Sequence, residues 1–341
     1  MTSDRSKRFG YADTWVGLTL MVGSSLLTWL EDAGGTVSDA VRLGVSPACN
    51  GGLGVFVQRP LSSFEPLATV PLSACISAVD ACEDADIGPV VRDYLVDQRG
   101  ELGADAVAVA ALLAHARHGK SPSARARWRG YLESLPLDVS TPSSVTSFGS
   151  PDPLAPILAR EYILQRKELD ALATSVYEVL GGRVGKVACC QALRVTASRC
   201  FSLTPFFGPE RRRSIMPSTA DGVLVPFLDV FNHPSRSALA VTSAGEQFAR
   251  TALQSAVCRW AFDDTQGVVH VYAPELAGPV GSEIFNMYDL AGANNEFAPN
   301  NDFLGLQTSR LLAATWSEGM QQTWAEGEAF FIARYGFSPW E

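Results

Sequence analysis

The chain has 341 residues, of which 47% are hydrophobic, so it is long enough to bury one or two ordinary cores. Its 27 Lys and Arg against 36 Asp and Glu give a net charge of −9, which argues against binding to the phosphate backbone of nucleic acids. Seven scattered cysteines without a CxxC pair encode neither a zinc cluster nor a disulfide framework. They are typical of free thiols in a reducing compartment, the cytoplasm or nucleus, with organelle targeting left open.

The first predicted element is an uncharged stretch from Thr14 to Leu30. Basic residues precede it, as in a signal peptide or a short membrane anchor. Seven of its 17 residues are Thr, Gly or Ser, however, and it continues into Glu31 and Asp32 without a small-residue cleavage site. These flanks favour a helix packed in the core, and membrane association is not expected. Gly34 and Gly35 are predicted to end that helix.

The rest of the chain shows a block of strands, a block of helices and a second block of strands. Short β-branched runs bounded by Gly and Pro occupy 51–57 and 68–72, and apolar residues recur at helical spacing from 102 to 185. This order predicts an α+β fold rather than alternating βαβ units. A last helical pattern covers 308–334. The later predicted strands are Val223–Phe227, Ala238–Val241, Ala256–Phe262, Val268–Tyr272 and Glu283–Tyr288.

The sequence contains only weak matches to metal-binding and dinucleotide-binding motifs. His115 and His118 lie one helical turn apart, a spacing that could hold a metal ion, but no carboxylate or further histidine is near them in the sequence. We interpret them as core or surface residues and predict no metal site. Gly51–Gly54 lacks the third glycine of a dinucleotide fingerprint and precedes a strand, so it predicts a tight turn rather than a phosphate-binding loop.

Six segments, in order, resemble a known family. Leu224–His233 is similar to the strand-to-turn Asn-His motif of SET-domain methyltransferases, and Glu283–Leu290 is similar to their tyrosine strand. The resemblance covers about residues 26 to 297 and is closest to the Rubisco large-subunit methyltransferase branch, which includes the actin histidine methyltransferases. The other segments are Trp29–Glu31 with Gly34 and Gly35, Gly52–Phe56 leading to Val70–Leu72, Trp128 with Tyr131–Leu132 and Leu135–Pro136, and Ser198–Phe201.

This resemblance implies a SET fold of short β-sheets with a large helical insert, lacking the usual C-terminal helical substrate-binding domain. The expected organisation is a helical extension over 1–35, the first half of the SET domain over 36–100, the helical insert over 101–198, and the second half over 199–341. A segment at 298–334 is then an insertion within that second half.

The resemblance also implies S-adenosylmethionine as the methyl donor. The glycine turn would face the cofactor through its backbone, Arg199 and Asp229 would hold the amino-acid and sugar parts, and the Asn-His pair would complete the pocket. Taken singly, Asp229, Asn232 and His233 are more typical of ordinary turn residues, and Arg199 is equally consistent with a structural cation. Their joint placement in the order of the family favours the cofactor site. The expected binding residues are Gly52, Leu53, Gly54, Arg199, Asp229, Asn232 and His233.

The catalytic residues implied by the resemblance are two tyrosines. Tyr288 matches the catalytic tyrosine, whose hydroxyl orients the nucleophile, and Tyr335 matches a second aromatic that walls the lysine channel. Tyr335 follows Tyr288 by 47 residues, whereas the family leaves only a short helix between the two motifs. Either 298–334 is an inserted loop and helix, or the channel is built differently.

The function implied is protein-lysine N-methylation of a non-histone protein, because no post-SET cysteine cluster is present. Two alternatives remain. The displaced Tyr335 and the short C-terminus are also consistent with a catalytically weak or inactive SET-fold interaction module, and histidine methylation differs only in the acceptor pocket. The expected partner is a protein presenting a lysine or a histidine, and the oligomeric state is not predicted.

Overall fold

A computed structural model describes residues 22–46, 52–98, 103–118, 121–137, 167, 169–202, 222–232, 257–263 and 265–286. Several predicted features lie outside these residues: the stretch before residue 22, the strand at 238–241, the helical pattern at 308–334, and the side chains of His233, Tyr288 and Tyr335.

The N-terminal helix packs into the core, as predicted. It runs over 22–32 (α1), and the side chains of Leu26 and Leu30 are fully buried. Gly34 adopts a φ of +88°, which a residue without a Cβ reaches without strain, and its N–H donates to the carbonyl of Glu31. Gly35 donates to the carbonyl of Leu30, so both glycines end the helix as expected. Among the described residues, no helix has the length and apolar character needed to span a membrane.

The described strands form three small antiparallel sheets. The strands are β1 (Thr36–Val37), β2 (Val41–Val45), β3 (Leu53–Val57), β4 (Pro66–Pro71), β5 (Ile76–Ser77), β6 (Cys200–Ser202), β7 (Gly222–Leu224), β8 (Arg259–Asp263), β9 (Val268–Tyr272) and β10 (Glu283–Ile284). They pair in the orders β1-β4-β9-β8, β10-β3-β2 and β5-β7-β6. Two of the sheets therefore join N-terminal strands to strands about 200 residues further along the chain.

The predicted strand Val223–Phe227 is wrong in its second half, because β7 ends at Leu224. Pro226 has no N–H to donate to a neighbouring strand. Phe227 adopts φ 68° and ψ −46°, a conformation close to the rare γ-turn region and strained for a bulky residue. The chain therefore turns here and continues into a 3-10 helix over Leu228–Val230.

Helices occupy part of the predicted helical region at 102–185, and others, at Ala78–Glu83, Gly88–Asp97 and Lys186–Arg199, lie outside that pattern. In α4 (Ala104–Arg117) every residue except Asp105 and Arg117 is buried, which suits an alanine-rich helix that is apolar on almost all sides. It packs against α8 (Lys186–Arg199) and, through Asp105, accepts a hydrogen bond from the N–H of Gly222 at the start of β7. The remaining helices are α2 (Ala78–Glu83), α3 (Gly88–Asp97), α4 (Ala104–Arg117), α5 (Pro122–Arg127), α6 (Arg129–Ser134), α7 (169–179) and α8 (Lys186–Arg199).

Cysteines in the described part of the chain are free thiols: Cys75, Cys82, Cys189, Cys190, Cys200 and Cys258. Burial raises the pKa of the Cys82 thiol to about 11, so this thiol is inert at neutral pH.

Candidate active site

One side chain joins the start of β3 to the start of β10. The amide nitrogen Nδ2 of Asn232 donates to the carbonyl of Leu53 (2.9 Å) and to Oε1 of Glu283 (2.8 Å). Its backbone carbonyl accepts the N–H of Asn286 (2.9 Å), just after β10. Both partners of Nδ2 are oxygen acceptors, which fixes the orientation of the amide. Asn232 therefore holds three segments that are distant in sequence at one point.

Glu283 occupies the space next to the predicted glycine turn. Its Oε2 accepts a hydrogen bond from the hydroxyl of Ser46 (2.9 Å), and a Cβ added at Gly54 would overlap Oε1. Burial raises the pKa of the Glu283 carboxyl, and the hydrogen bonds from Asn232 and Ser46 partly oppose that rise. The glycine at position 54 is thus required by the approach of a partly buried carboxyl group.

A second polar cluster lies one turn earlier, at Asp229. The hydroxyl of Tyr131 donates to Oδ2 of Asp229 (3.0 Å), and Nη1 of Arg199 donates to the backbone carbonyl of Asp229 (2.7 Å) and lies 3.4 Å from Oδ2. Only 1% of the Asp229 side chain is exposed, against 28% for Arg199. Burial raises the pKa of Asp229, and the positive charge of Arg199 and the Tyr131 hydrogen bond lower it.

Tyr131 is held by its hydrogen bond to Asp229 and by an aromatic ring on its other side. Its ring stacks on Trp29 of α1 with centroids 6.1 Å apart and an interplanar angle of 14°. Trp29 can approach this closely because Gly130 has no Cβ, which would otherwise overlap it. The indole N–H of Trp29 donates to the carbonyl of Arg127. Burial raises the pKa of Tyr131 well above its usual range, so its hydroxyl stays a proton donor.

The two clusters share one short turn. The 3-10 helix carries Asp229, Asn232 follows two residues after it, and the rings of Phe227 and Phe231 pack edge to face at 5.4 Å beside it. Local geometry thus places both polar residues on a rigid, buried support.

The structure brings several predicted site residues together in pairs: Leu53 with Asn232, and Arg199 with Asp229. His233, Tyr288 and Tyr335 lie outside the described residues. Sequence reasoning missed Ser46, Glu283 and the hydroxyl of Tyr131. The sequence signal that could have pointed to Glu283 is its position as a carboxylate directly before the apolar residues Ile284 and Phe285 of a predicted strand.

No protein-family model and no curated protein matches the sequence. Solved structures do match. The SET domain of LSMT bound to lysine and AdoHcy has a TM-score of 0.52 and 17% identity, over 83% of this chain and 57% of that one. Rubisco LSMT bound to AdoMet has a TM-score of 0.52 and 18% identity, over 83% of this chain and 56% of that one.

This likeness shows the fold: the chain has the α+β SET fold that the ordered motifs predict. The chain spans a little over half the length of the solved chains that it matches.

Proposed function

We propose that this protein is an S-adenosylmethionine-dependent methyltransferase that modifies a lysine of a non-histone protein. The observation that carries the proposal is the double hydrogen bond of Asn232 to Leu53 and Glu283 on a SET fold. It joins the glycine turn, the Asn-His motif and the strand leading to Tyr288, three segments in which the resemblance places cofactor and catalytic residues.

The described residues fit the polar end of such a cofactor. Arg199 offers a partly exposed guanidinium, a fixed fork of donors that suits a carboxylate. The carboxyl group of Asp229 is almost fully buried and contacts Arg199 and Tyr131, so its part in cofactor binding is to position Arg199.

Asn232 contributes in two ways. Its two N–H donors are used by Leu53 and Glu283, which leaves the side-chain oxygen Oδ1 to accept a hydrogen bond from a cofactor amine. Its backbone carbonyl fixes Asn286, two residues before Tyr288 in the chain. The backbone of Gly52 and Leu53, together with His233, completes the proposed pocket.

When bound, S-adenosylmethionine supplies a methyl group on a positively charged sulfur. A substrate lysine has a reference pKa of about 10.4 and must lose a proton before its nitrogen can attack. An apolar channel lowers that pKa by destabilising the ammonium form. The proposed task of the Tyr288 hydroxyl is to orient the neutral amine in line with the methyl group, and Tyr335 is proposed to wall the channel.

The test is methyl transfer by the purified protein from radiolabelled S-adenosylmethionine to proteins of a cell extract, with purified histones in a separate arm. We expect labelled extract proteins, unlabelled histones, and a loss of about a hundredfold or more in rate for Tyr288→Phe. Mass spectrometry of the labelled band then assigns the acceptor as lysine or histidine.

Calorimetry with S-adenosylmethionine separates the alternatives. Folded protein that binds the cofactor but labels nothing supports the inactive interaction module instead. Folded protein that gives no heat at millimolar cofactor contradicts both the enzyme and the pocket.

A further inference from the structure

A separate polar cluster, which shares no residue with the proposed active site, lies where α2, α3, α4 and α5 meet. Its centre is His115, in the last turn of α4, of which 1% is exposed. Neither ring nitrogen of His115 makes a hydrogen bond among the described residues. A buried imidazole normally has at least one partner, because an unsatisfied polar group in the interior is unfavourable.

Two carboxylates of the α2–α3 junction face this ring. Oδ2 of Asp86 lies 3.6 Å from Nε2 of His115. One oxygen of Asp84, one oxygen of Asp86 and one ring nitrogen of His115 all lie within 4.8 Å of one another. The junction brings these groups together, although about 30 residues of chain separate them from His115.

Asp84 is held rigidly in this arrangement. Its Oδ1 accepts the backbone N–H groups of Asp86 (2.9 Å) and Ile87 (3.1 Å), and its Oδ2 accepts the hydroxyl of Ser121 (2.9 Å). Both lone pairs of Oδ1 are used by these N–H groups, whereas Oδ2 keeps one lone pair for a further partner. Such outer hydrogen bonds to a carboxylate are what orients it when it ligates a metal ion.

The spacing points to an ion rather than to a direct contact. A separation of 3.6 Å is too long for a hydrogen bond between Nε2 and Oδ2. Two ligand atoms about 2.1 Å from a tetrahedral ion lie roughly 3.4 Å apart, which is close to the observed separation.

We propose that Asp84, Asp86 and His115 bind a divalent first-row transition-metal ion, with Zn²⁺ as the best match to one imidazole and two carboxylates. Water completes the coordination, and the Asp86 side chain, 51% exposed, gives the ion access from solvent. The ion ties the α2–α3 junction to the end of α4 and, through Ser121, to the start of α5. Its role is to stabilise the helical part of the fold.

The test uses the full chain, stripped with a chelator and then titrated with Zn²⁺. We expect one ion bound per chain and a rise in Tm with added Zn²⁺. Asp86→Asn should weaken binding by about tenfold or more and abolish the rise in Tm. Because Asp86 is half exposed, this variant is expected to fold even where His115→Gln does not. His118→Gln, an exposed histidine of the same helix end, is the matched control and should bind as the wild type does.

Co²⁺ serves as a spectroscopic probe of the ligands. Visible d–d bands without a thiolate charge-transfer band support the nitrogen and oxygen ligands named here. A thiolate band, equal Zn²⁺ affinity in the wild type and Asp86→Asn, or no binding by the folded wild type each overturns the proposal.

Discussion

Nδ2 of Asn232 lies 2.8 Å from Oε1 of Glu283, across 51 residues of chain. Since the same amide donates to the carbonyl of Leu53, a single side chain fixes the relative position of β3, β10 and the turn after β7. A donor is required at position 232, because both groups that it faces are acceptors.

Reversing the polarity of this pair tests the relationship. Asn232→Asp keeps the size but places an acceptor against two acceptors, so we expect lower stability and weaker S-adenosylmethionine binding. Adding Glu283→Gln restores a donor and should recover part of both losses, with a coupling free energy of about 0.5–3 kcal/mol. Urea unfolding and calorimetry on the four proteins of the cycle measure it. Strictly additive effects would show that the two side chains do not interact.

The ionisation of Glu283 should contribute to the pH dependence of the free energy of unfolding. Burial raises its pKa in the folded state above its ordinary value of 4.5, so the folded chain binds this proton more tightly than the unfolded chain. The contribution of Glu283 to stability is therefore largest at low pH and falls as pH rises from its unfolded pKa to its folded pKa.

Glu283→Gln stays neutral, so its stability relative to the wild type should increase as pH rises through that window. Urea unfolding at several values between about pH 4 and pH 8 measures the difference. Glu31→Gln, an exposed carboxylate, controls for the loss of one negative charge. If the difference in free energy of unfolding between Glu283→Gln and the wild type does not change with pH, the burial of the Glu283 charge is contradicted.

Gly54→Ala should destabilise the site because its Cβ would overlap Oε1 of Glu283 and lie 2.9 Å from the Cβ of Ser46. Overpacking of this kind costs about 1–3 kcal/mol. Glu283→Ala in the same chain removes the obstacle and should recover part of the loss. Gly185→Ala is the control, since a Cβ there meets nothing within 4 Å. Because Gly185 is the N-cap of α8, we expect only the smaller loss of a poorer cap, about 0.5 kcal/mol.

Tyr131→Phe removes the hydroxyl that donates to buried Asp229. Leaving that acceptor without its donor should lower the free energy of unfolding by about 1–3 kcal/mol, and a less firmly held Arg199 should weaken S-adenosylmethionine binding. Tyr177→Phe, on the partly exposed face of α7, is the control. If both variants unfold at the same urea concentration, the Asp229 contact contributes nothing.

The sequence predicted best those features that depend on residues close together in the chain. The helix ending at Gly34 and the strand Val268–Tyr272 follow from local conformational preferences and from alternation. The turn carrying Asp229 and Asn232 was found because a short linear motif carries it.

Contacts set by tertiary register could not be found in the same way. Glu283 meets Gly54 only because β10 pairs antiparallel with β3, and Tyr131 meets Asp229 across 98 residues. His115 was interpreted without a carboxylate partner because Asp84 and Asp86 approach it only when the α2–α3 junction folds back onto α4. Strand β7 ends at Leu224 rather than at the predicted Phe227, because Pro226 has no N–H to donate and Phe227 adopts a turn conformation despite the β-propensity of phenylalanine.

The pairing of β3 with β10 and of β4 with β9 has a consequence for the nascent chain on the ribosome. Synthesis proceeds at about 5–20 residues per second, so both N-terminal strands wait many seconds for their partners, which begin at Val268 for β4 and at Glu283 for β3. Until then each presents an unpaired edge that can join another chain. Gln58 and Arg59 after β3 are polar, and Pro66 and Pro71 at the two ends of β4 lack an N–H. These residues limit intermolecular pairing of the half-made sheets during that interval.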